Sequence, residues 1–437
     1  MGASYKIPII LDELSGINRI DEPVTGGIPI KKGLLFDTKN ICLINQNKII
    51  PVQTQILSRW SDGSIKWLLL DFKTSLNAKE KKKFFLIKKR IKKIKDIEIS
   101  KDMLGLLEGL ILVDNKNKKH CAVIKKTEVE TKGSQRTVVK LDGGFKNSIL
   151  QFFARFNFYP NNKLRLDLTI RNPQAAKHPG GFWDLGDRGS VLFKDLFLRI
   201  KMVGEGDVYY KNNPKSKFKK TEDVIIYQDS SDNKNWKHHT HVNRYNQVMH
   251  VFKGYNVYEK GNEVLQSAHT QPTVKVGRIS VALKDFWQNF PKTIEANKNE
   301  IVIRLFPKQY ADFHELQGGE QKTHSIFFDF DGNDLDWIQY PLVVASTPEY
   351  YSETGAIPYL TPETKADRRY HKLIYCAIKG QDSFDKKNKI IDEYGWRNFG
   401  EIYADHEAVH EKDWFLIIII NMTLFMECYY NFLEVVI

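Results

Sequence analysis

Short runs of alternating apolar and polar residues, each closed by turn-forming residues, restrict what this chain can fold into. The clearest case is "QTQILSRWSDGSIKWLLLDF" (53–72), in which Asp62-Gly63 separates two runs rich in Ile, Leu and Trp. Side chains of a strand alternate between two faces, and Asp-Gly suits the tight turn of a hairpin. Similar runs continue to about residue 345. The pattern therefore predicts a mainly β, antiparallel fold.

The chain of 437 residues is too long for one ordinary core, and its character changes twice. Residues 1–147 predict a small β-barrel or sandwich. Residues 148–345 carry longer alternating runs with polar loops and predict an antiparallel β-sandwich. Residues 346–437 begin with helical spacing. There Thr361-Pro362-Glu363 supplies a cap, a first-turn proline and an acid in sequence.

The formal net charge is +13, and much of it comes from "KEKKKFFLIKKRIKKIK" (79–95). Such a run could bind a polyanion, either nucleic acid or an acidic polysaccharide. It could equally be a solvated hairpin, since the cations flank the apolar "FFLI". No nucleic-acid-binding motif accompanies the run. We therefore favour the solvated hairpin and expect no nucleic-acid partner.

Four widely spaced cysteines lack CxxC spacing, so neither a disulfide framework nor a structural zinc site is expected. The N-terminus lacks the basic and apolar regions of a secretory signal. The final stretch, "DWFLIIIINMTLFMECYYNFLEVVI" (413–437), is abruptly apolar, but Asn421 and Glu427 interrupt it. A membrane-spanning helix needs about 20 apolar residues. We expect an aberrant end of the helical part rather than a membrane span.

Four polar clusters fall on predicted loops, at 178–190, 227–245, 314–324 and 392–407. His239 and His241 would face one side of a strand, but two histidines without carboxylate partners make a weak metal site. Asp184 and Asp187 are candidate calcium ligands without a calcium-binding loop motif. We predict no metal site and leave calcium as the candidate cofactor.

Two reaction types use the residues of these clusters. Glycoside hydrolysis needs two carboxylates, and Glu315, Glu320, Asp184 and Glu407 are available. β-Elimination at a uronic acid needs a cation beside the carboxylate, a base and an acid. Arg, Asn, His, Lys and Tyr suit those tasks, and the clusters contain all of them. Turn chemistry alone is the alternative for each cluster.

Seven motifs along the chain carry a resemblance to a known family. They are "PVTGGIPIKKG" (23–33), "SRWSDGSIKWLLLDF" (58–72), "HPGGFWDLGD" (178–187), "HVNR" (241–244), "DFWQNFPK" (285–292), "HELQGGEQKTH" (314–324) and "YGWRNFGEIYADHE" (394–407). In this order they resemble the exo-rhamnogalacturonan lyase-like family of polysaccharide lyases. The resemblance implies an N-terminal RIFT-type β-barrel, a central β-sandwich and a C-terminal α/α toroid. It also implies β-elimination on pectic rhamnogalacturonan and an extracellular or periplasmic location.

We interpret the chain as a truncated polysaccharide lyase, because the helical part gives way to the apolar stretch at about Asp413. A carbohydrate-binding β-module without catalysis and a glycoside hydrolase are the alternatives. The expected partner is an acidic polysaccharide. The candidate proton-transfer and carboxylate-binding residues are His241, His324, Lys322 and Arg244. The candidate substrate-binding residues are Arg188, Trp183, Trp236, Asn243, Glu320, Tyr394, Arg397, His406 and Glu407.

Overall fold

The computed structural model describes residues 5–92, 94–177, 185–362, 368–380 and 383–400. Strands dominate these ranges, and helices are few and short. The predicted mainly β class, with a RIFT-type barrel and an antiparallel sandwich, is confirmed. The α/α toroid stays a prediction.

The N-terminal domain is built from seven strands in two antiparallel sheets with the orders β1-β7-β3-β4 and β2-β6-β5. The predicted hairpin at Asp62-Gly63 is confirmed, because it joins β5 to β6 and Gly63 has a φ of +82°. The strands are β1 Ile7–Asp12, β2 Arg19–Pro29, β3 Ile41–Asn45, β4 Lys48–Ile50, β5 Gln53–Arg59, β6 Ile65–Leu76 and β7 Lys81–Lys88.

The lysine-rich run forms β7, which lies between β1 and β3. Phe84 and Leu86 are fully buried in the barrel core, whereas Lys81 and Lys83 are exposed. This alternation is what period-two side-chain geometry produces when one face of a strand is solvated. Residues 81–88 of the run are thus a barrel strand with a solvated face.

The second domain is a large antiparallel β-sandwich. Its strands are β8 Leu110–Asp114, β9 Lys119–Thr131, β10 Thr137–Phe145, β11 Gln151–Tyr159, β12 Lys163–Arg171, β13 Val191–Lys201, β14 Val208–Lys211, β15 Lys219–Thr221, β16 Asp223–Gln228, β17 Tyr255–Glu259, β18 Asn262–Ser267, β19 Thr273–Val276, β20 Ile279–Leu283, β21 Lys292–Asn297, β22 Glu300–Phe306, β23 His314–Leu316 and β24 Gln321–Asp329.

These strands form two sheets that share the long strand β9. One sheet runs β9-β8-β13-β22-β21-β16-β17-β18, and β23 pairs with β13 beside β22. The other runs β9-β10-β11-β12-β24-β20-β19-β14-β15. Alternate residues such as Phe152, Phe156 and Leu166 fill the space between the sheets. The predicted boundary between residues 147 and 148 falls inside this domain, because β8 to β10 pair with its sheets.

Residues 341–357, here the return segment, run from the sandwich back to the barrel. Ala345 exchanges backbone hydrogen bonds with Ile10, and the side chains of Leu342, Val344 and Tyr351 join the barrel core. Helix α2 (Pro348–Thr354) begins in this segment, where the side chain of Thr347 caps it. The return segment therefore fastens the two domains together.

A buried ion-pair cluster holds the start of the return segment. The Arg19 guanidinium lies 2.7 Å from Glu13 and 2.9 Å from Glu22, and all three side chains are almost fully buried. Arg19 also donates to the carbonyl of Tyr340, while Glu22 accepts from the Leu342 amide. Burial raises the pKa of Glu22 to about 7 despite the charge of Arg19. Removal of any one member of a buried ion-pair cluster leaves an uncompensated charge that water cannot solvate, so each member stabilises the others.

The other helices are α1 Lys101–Leu104, α3 Arg368–Ile378, α4 Phe384–Ile391 and α5 Gly395–Asn398, and 3-10 turns span Gly105–Gly109, His239–His241 and Asp336–Gln339. Helix α3 buries no side chain, whereas α5 buries Trp396 against the sandwich core. Within the described ranges, no helix is both long and apolar enough to cross a membrane.

Candidate functional site

A cleft of about 700 Å³ opens between the barrel and the sandwich, and residues of the return segment together with Phe399 and Gly400 also line it. Its cationic side chains are Arg165, Lys284 and Lys322, and its one described carboxylate is Asp285. The main lining residues are Thr25, Gly26, Gly27, Trp67, Tyr159, Arg165, Lys284, Asp285, Asn289, Lys322, Thr323, His324, Ser325, Phe327, Trp337, Leu342, Val344, Phe399 and Gly400. Cations beside aromatic rings suit an anionic, sugar-like ligand.

A second, polar groove of about 540 Å³ adjoins the cleft. Thr25, Tyr159 and Arg165 line both, so the two lie side by side. In the groove each arginine has a carboxylate partner. The pairs are Arg136 with Asp71, Arg155 with Glu130, and Arg165 with Asp167.

Strand β24 brings two of the predicted residues, Lys322 and His324, to the cleft. Its register sets Lys322 opposite Ile170 and His324 opposite Leu168 on β12. Both lie on the face of β24 that is turned to the sandwich interior, as the alternation predicts. Lys322 is half-buried, and its ammonium donates to the Phe399 carbonyl at 2.8 Å. His324 is only 4% exposed and packs edge-on against the ring of Phe306.

The imidazole of His324 is neutral at neutral pH. Burial lowers its pKa well below the ordinary value, and the charges of Lys292 and Lys322 lower it further. Its Nε2 atom is buried and has no hydrogen-bond partner among the described residues. A buried, unpaired ring nitrogen at the wall of a cleft is a feature that calls for a functional explanation.

The Gly-Gly pair before Lys322 forms a tight turn. Gly319 has a φ of +81°, and a side chain on Gly318 would collide with the backbone of Ala175. The Glu320 carboxylate accepts from the Gln317 amide at 2.7 Å across this turn. Glu320 thus supports the backbone that presents β24.

Two carboxylates of the clusters hold the loop that precedes β13. Glu315 accepts from the Gly186 amide at 2.6 Å and from the Ser190 hydroxyl at 2.7 Å. Asp187 accepts from the amides of Lys177 and Gly189. These bonds use the carboxylates to order the loop. No group of side chains suitable for a metal ion occurs within the residues that the structure covers.

His241 lies in a buried cluster and not among the residues that line the cleft. Its Nε2 atom is 2.8 Å from Asp392, and the Ser231 hydroxyl donates to both oxygens of the same carboxylate. Asn233 donates to it as well. Burial acts to raise the pKa of Asp392, but the bonds and charge of these neighbours outweigh it and leave the pKa below the ordinary value.

Asn243 and Arg244 share one partner, Asp312. The Asn243 amide donates to Asp312 at 2.8 Å, and the Arg244 guanidinium spans both carboxylate oxygens at 3.1 and 3.2 Å. Asn243 also accepts from the amides of Tyr245 and Gln247, so it caps its own turn.

Residues 392–400, here the cover segment, lie across these clusters. Arg397 donates to the Val242 carbonyl and Asn398 to that of Thr240. Tyr394 packs against Trp287, and burial raises its pKa to about 12. The cover segment therefore joins the His241 cluster to Lys322, whose bond partner is Phe399. Two other predicted residues lie apart from the cleft lining. Arg188 is exposed, and Trp236 is half-buried with the Lys237 ammonium over its ring. Trp183, His406, Glu407 and the 413–437 stretch lie outside the described residues.

Sequence reasoning did not single out Lys292, Arg165 or Asp392. Lys292 ends the motif "DFWQNFPK", which was used only for the family resemblance. Arg165 is one of several alternating charges on β12. Asp392 opens the fourth cluster, and only the folded chain shows that it meets His241.

We expect Asp392→Asn to loosen the cover segment. Hydrogen bonds to a charged group contribute about 1.5–3 kcal/mol, so the variant should lose a comparable free energy of unfolding at pH 7. Because the folded-state pKa of Asp392 is lowered, its contribution is full above the unfolded value and disappears as the pH falls through the folded one. Urea unfolding of wild type and variant at pH 7 and near pH 3 measures the loss in free energy of unfolding. A loss that is the same at both pH values would contradict a role for the charged form of Asp392.

The barrel matches a known family model. Residues 11–84 fit the PcRGLX-like N-terminal RIFT barrel domain. No curated protein matches the chain. Among solved structures, an α-mannosidase from Enterococcus faecalis is 10% identical with a TM-score of 0.35, covering 81% of this chain and 45% of that one. The galactosidase domain of an α-galactosidase-sucrose kinase is 11% identical with a TM-score of 0.28, covering 59% and 33%. The chain thus spans a third to a half of these proteins.

The family model that the barrel matches supports a carbohydrate-active protein. The match of residues 11–84 confirms the predicted resemblance to the rhamnogalacturonan lyase-like family for the barrel domain.

Proposed function

We propose that the protein cleaves an acidic pectic polymer of the rhamnogalacturonan type by β-elimination. The observation that supports this most directly is the cleft beside the family's barrel domain, in which a cationic Lys322 and a neutral His324 lie two residues apart on one strand. β-Elimination needs that combination, because a cation must offset the uronate carboxylate while a neutral base removes the adjacent proton.

In the proposed reaction, Lys322 attracts the uronate carboxylate into the cleft, while Arg165, already paired with Asp167, offers hydrogen bonds to the sugar. The Nε2 atom of His324 accepts the proton from the carbon beside that carboxylate. The electron pair of the broken C–H bond forms a carbon–carbon double bond, and the bond to the leaving glycosidic oxygen breaks. The leaving oxygen takes up a proton, which solvent supplies. The positive charge of Lys322 is one cause of the lowered pKa of His324. When the uronate carboxylate of the substrate pairs with Lys322, it offsets that charge, so substrate binding would raise the pKa of His324 and make it a stronger base.

The groove beside the cleft supports a polymeric ligand. A chain bound at Lys322 can continue past Arg165 and Tyr159, which line both spaces. Each arginine of the groove is already paired with a carboxylate, so the groove is better suited to hydrogen-bond sugar hydroxyl groups than to bind a second anion strongly. Export to the exterior or periplasm, where such polymers occur, is part of the same proposal.

A binding module without catalysis is the second candidate, and the 4% exposure of His324 favours it. The ultraviolet absorbance of unsaturated uronosyl ends separates the candidates when the protein is mixed with rhamnogalacturonan. Product that absorbs supports the lyase. Retention on the polymer without product supports the binding module, and new reducing ends without absorbance support a hydrolase. The last two outcomes each refute the lyase.

Lys322→Gln should weaken binding of acidic oligosaccharides by roughly 10- to 100-fold, since a hydrogen bond to a charged group contributes about 1.5–3 kcal/mol. Lys322→Arg should retain most of the affinity because it keeps the charge. Lys83→Gln is the control, because this exposed lysine lies on the solvated face of β7. Titration calorimetry measures all three. Equal losses for Lys322→Gln and Lys83→Gln would indicate general charge attraction and refute a site at Lys322.

A further inference from the structure

The lysine at the start of β21, Lys292, is fully buried, yet its only described partners are uncharged. Its ammonium nitrogen lies 2.7 Å from the Asn289 carbonyl and 3.1 Å from the Pro291 carbonyl. No described carboxylate pairs with it. A lysine in such a place is costly, because desolvation of its charge is not offset by an opposite charge. An apolar side chain at position 292 would pack there without this cost, so packing alone does not account for a lysine.

Lys292 faces His324 across one aromatic ring. The Lys292 nitrogen is 5.3 Å from the centre of the Phe306 ring, and the His324 ring stands edge-on to the same ring at 5.4 Å. The two basic residues come from opposite sheets of the sandwich, on β21 and β24. Their shared surroundings exclude water, so the charge of one is felt strongly by the other.

We propose that Lys292 is a positioning residue that keeps His324 unprotonated at the wall of the cleft. Two basic groups in one dry space cannot both hold a proton without strong repulsion. The two backbone carbonyls around Lys292 accept hydrogen bonds from the protonated amine, so the proton resides on the lysine. His324 has no such acceptor at Nε2 and stays neutral. The pKa of His324, which burial and the charges of Lys292 and Lys322 lower, agrees with this assignment, whereas the burial of Lys292 opposes its charge and the two carbonyls must offset that cost.

Among the described residues, few other charges face His324. Lys322 lies on the same strand, and its charge acts in the same direction. His314 shares the Phe306 ring, but burial lowers its pKa to about 3, so it is uncharged. Arg165, Lys284 and Asp285 line the cleft beyond. Among these, Lys292 is the buried cation that solvent and salt cannot screen.

The inference rests on the proposed function, because it assigns Lys292 a task in keeping the base ready. Its consequence is that turnover persists at acidic pH. An ordinary histidine base becomes protonated below a pH of about 6.5 and stops accepting protons. With Lys292 in place, the acid limb of the pH–rate profile lies below that value.

The test is the imidazole NMR titration of His324 in the full chain, assigned by comparison with His324→Gln. The wild-type signal should show no protonation near pH 6.5, about the ordinary value for a histidine. Lys292→Gln removes the charge but keeps an amide donor, and it should shift the His324 titration upward, toward the ordinary value of about 6.5. Lys292→Arg keeps the charge and should leave it low. Lys163→Gln, at another buried lysine of the sandwich, is the control and should not shift it.

A wild-type His324 that titrates near the ordinary histidine value overturns the inference, whether or not the variants fold. So does a Lys292→Gln titration that stays as low as the wild type. The acid limb of turnover should move upward in the same variant. If no unsaturated product forms, the proposed lyase activity fails while the titration still decides the role of Lys292.

Discussion

Under the proposed function, we expect replacement of His324 by glutamine to lower the rate of unsaturated product formation by about 100- to 10,000-fold, the usual contribution of a positioned general base. Glutamine nearly matches the size of the imidazole and retains polar atoms against Phe306, but it cannot accept the proton. We expect the affinity for acidic oligosaccharides to change little, because Lys322 and Arg165 remain. The substitution should therefore lower kcat and leave the dissociation constant for acidic oligosaccharides nearly unchanged.

The matched control is His239→Gln, since His239 is exposed and lies away from the cleft. Initial rates from the ultraviolet absorbance of the product, with calorimetric binding on the same samples, give both quantities. Equal rates for His324→Gln and His239→Gln would remove His324 from the mechanism. A loss of binding that matches the loss of rate would instead indicate a damaged cleft.

Arg19→Ala is expected to have the largest effect on stability. It leaves the carboxylates of Glu13 and Glu22 buried without their cation, and removal of one member of a buried ionic group typically costs about 3–5 kcal/mol. It also removes the donor to the Tyr340 carbonyl, which holds the start of the return segment. Separation of the barrel from the sandwich should therefore accompany the loss.

Lys73→Ala provides the comparison for Arg19→Ala. Lys73 pairs with Asp21 in the same domain at 3.1 Å, but both side chains are more than one-third exposed. Surface pairs of this kind contribute about 0–1 kcal/mol. Denaturant unfolding curves followed by tryptophan fluorescence measure both variants. An Arg19→Ala curve within about 1 kcal/mol of the Lys73→Ala curve would contradict the role of the cluster, since exposed pairs reach at most that value.

The pattern of the chain was sufficient for much of the architecture. Alternation reports which residues of a strand share a face, so a strand such as β12 could be predicted from its pattern. The 314–324 stretch was predicted as a loop, but it contains β23 and the start of β24, which pair with β13 and β12. Asp62-Gly63 marked a turn because glycine there takes a positive φ. The domain boundary could not be placed in the same way, because strands of barrel and sandwich alternate alike and only pairing partners distinguish them.

The cleft itself was only partly predictable. Lys322 and His324 are two residues apart on one strand, so period-two geometry alone set them on one side. Arg165, Lys284 and Trp67 join them from elements that are far apart in sequence. His241 and Asp392 are likewise 151 positions apart. Contacts of that kind depend on how the sheets and the cover segment pack, which local patterns do not encode.

The sequence by itself determined the strand-rich class, the hairpins and the strand face that carries Lys322 and His324, because those features follow from local backbone geometry and side-chain alternation. The tertiary structure alone decided the chemical state of these groups. Protonation depends on desolvation and on nearby charges, and these arise only when distant segments come together. Lys292 belongs to a different sheet from His324, and only the packed sandwich sets both against Phe306.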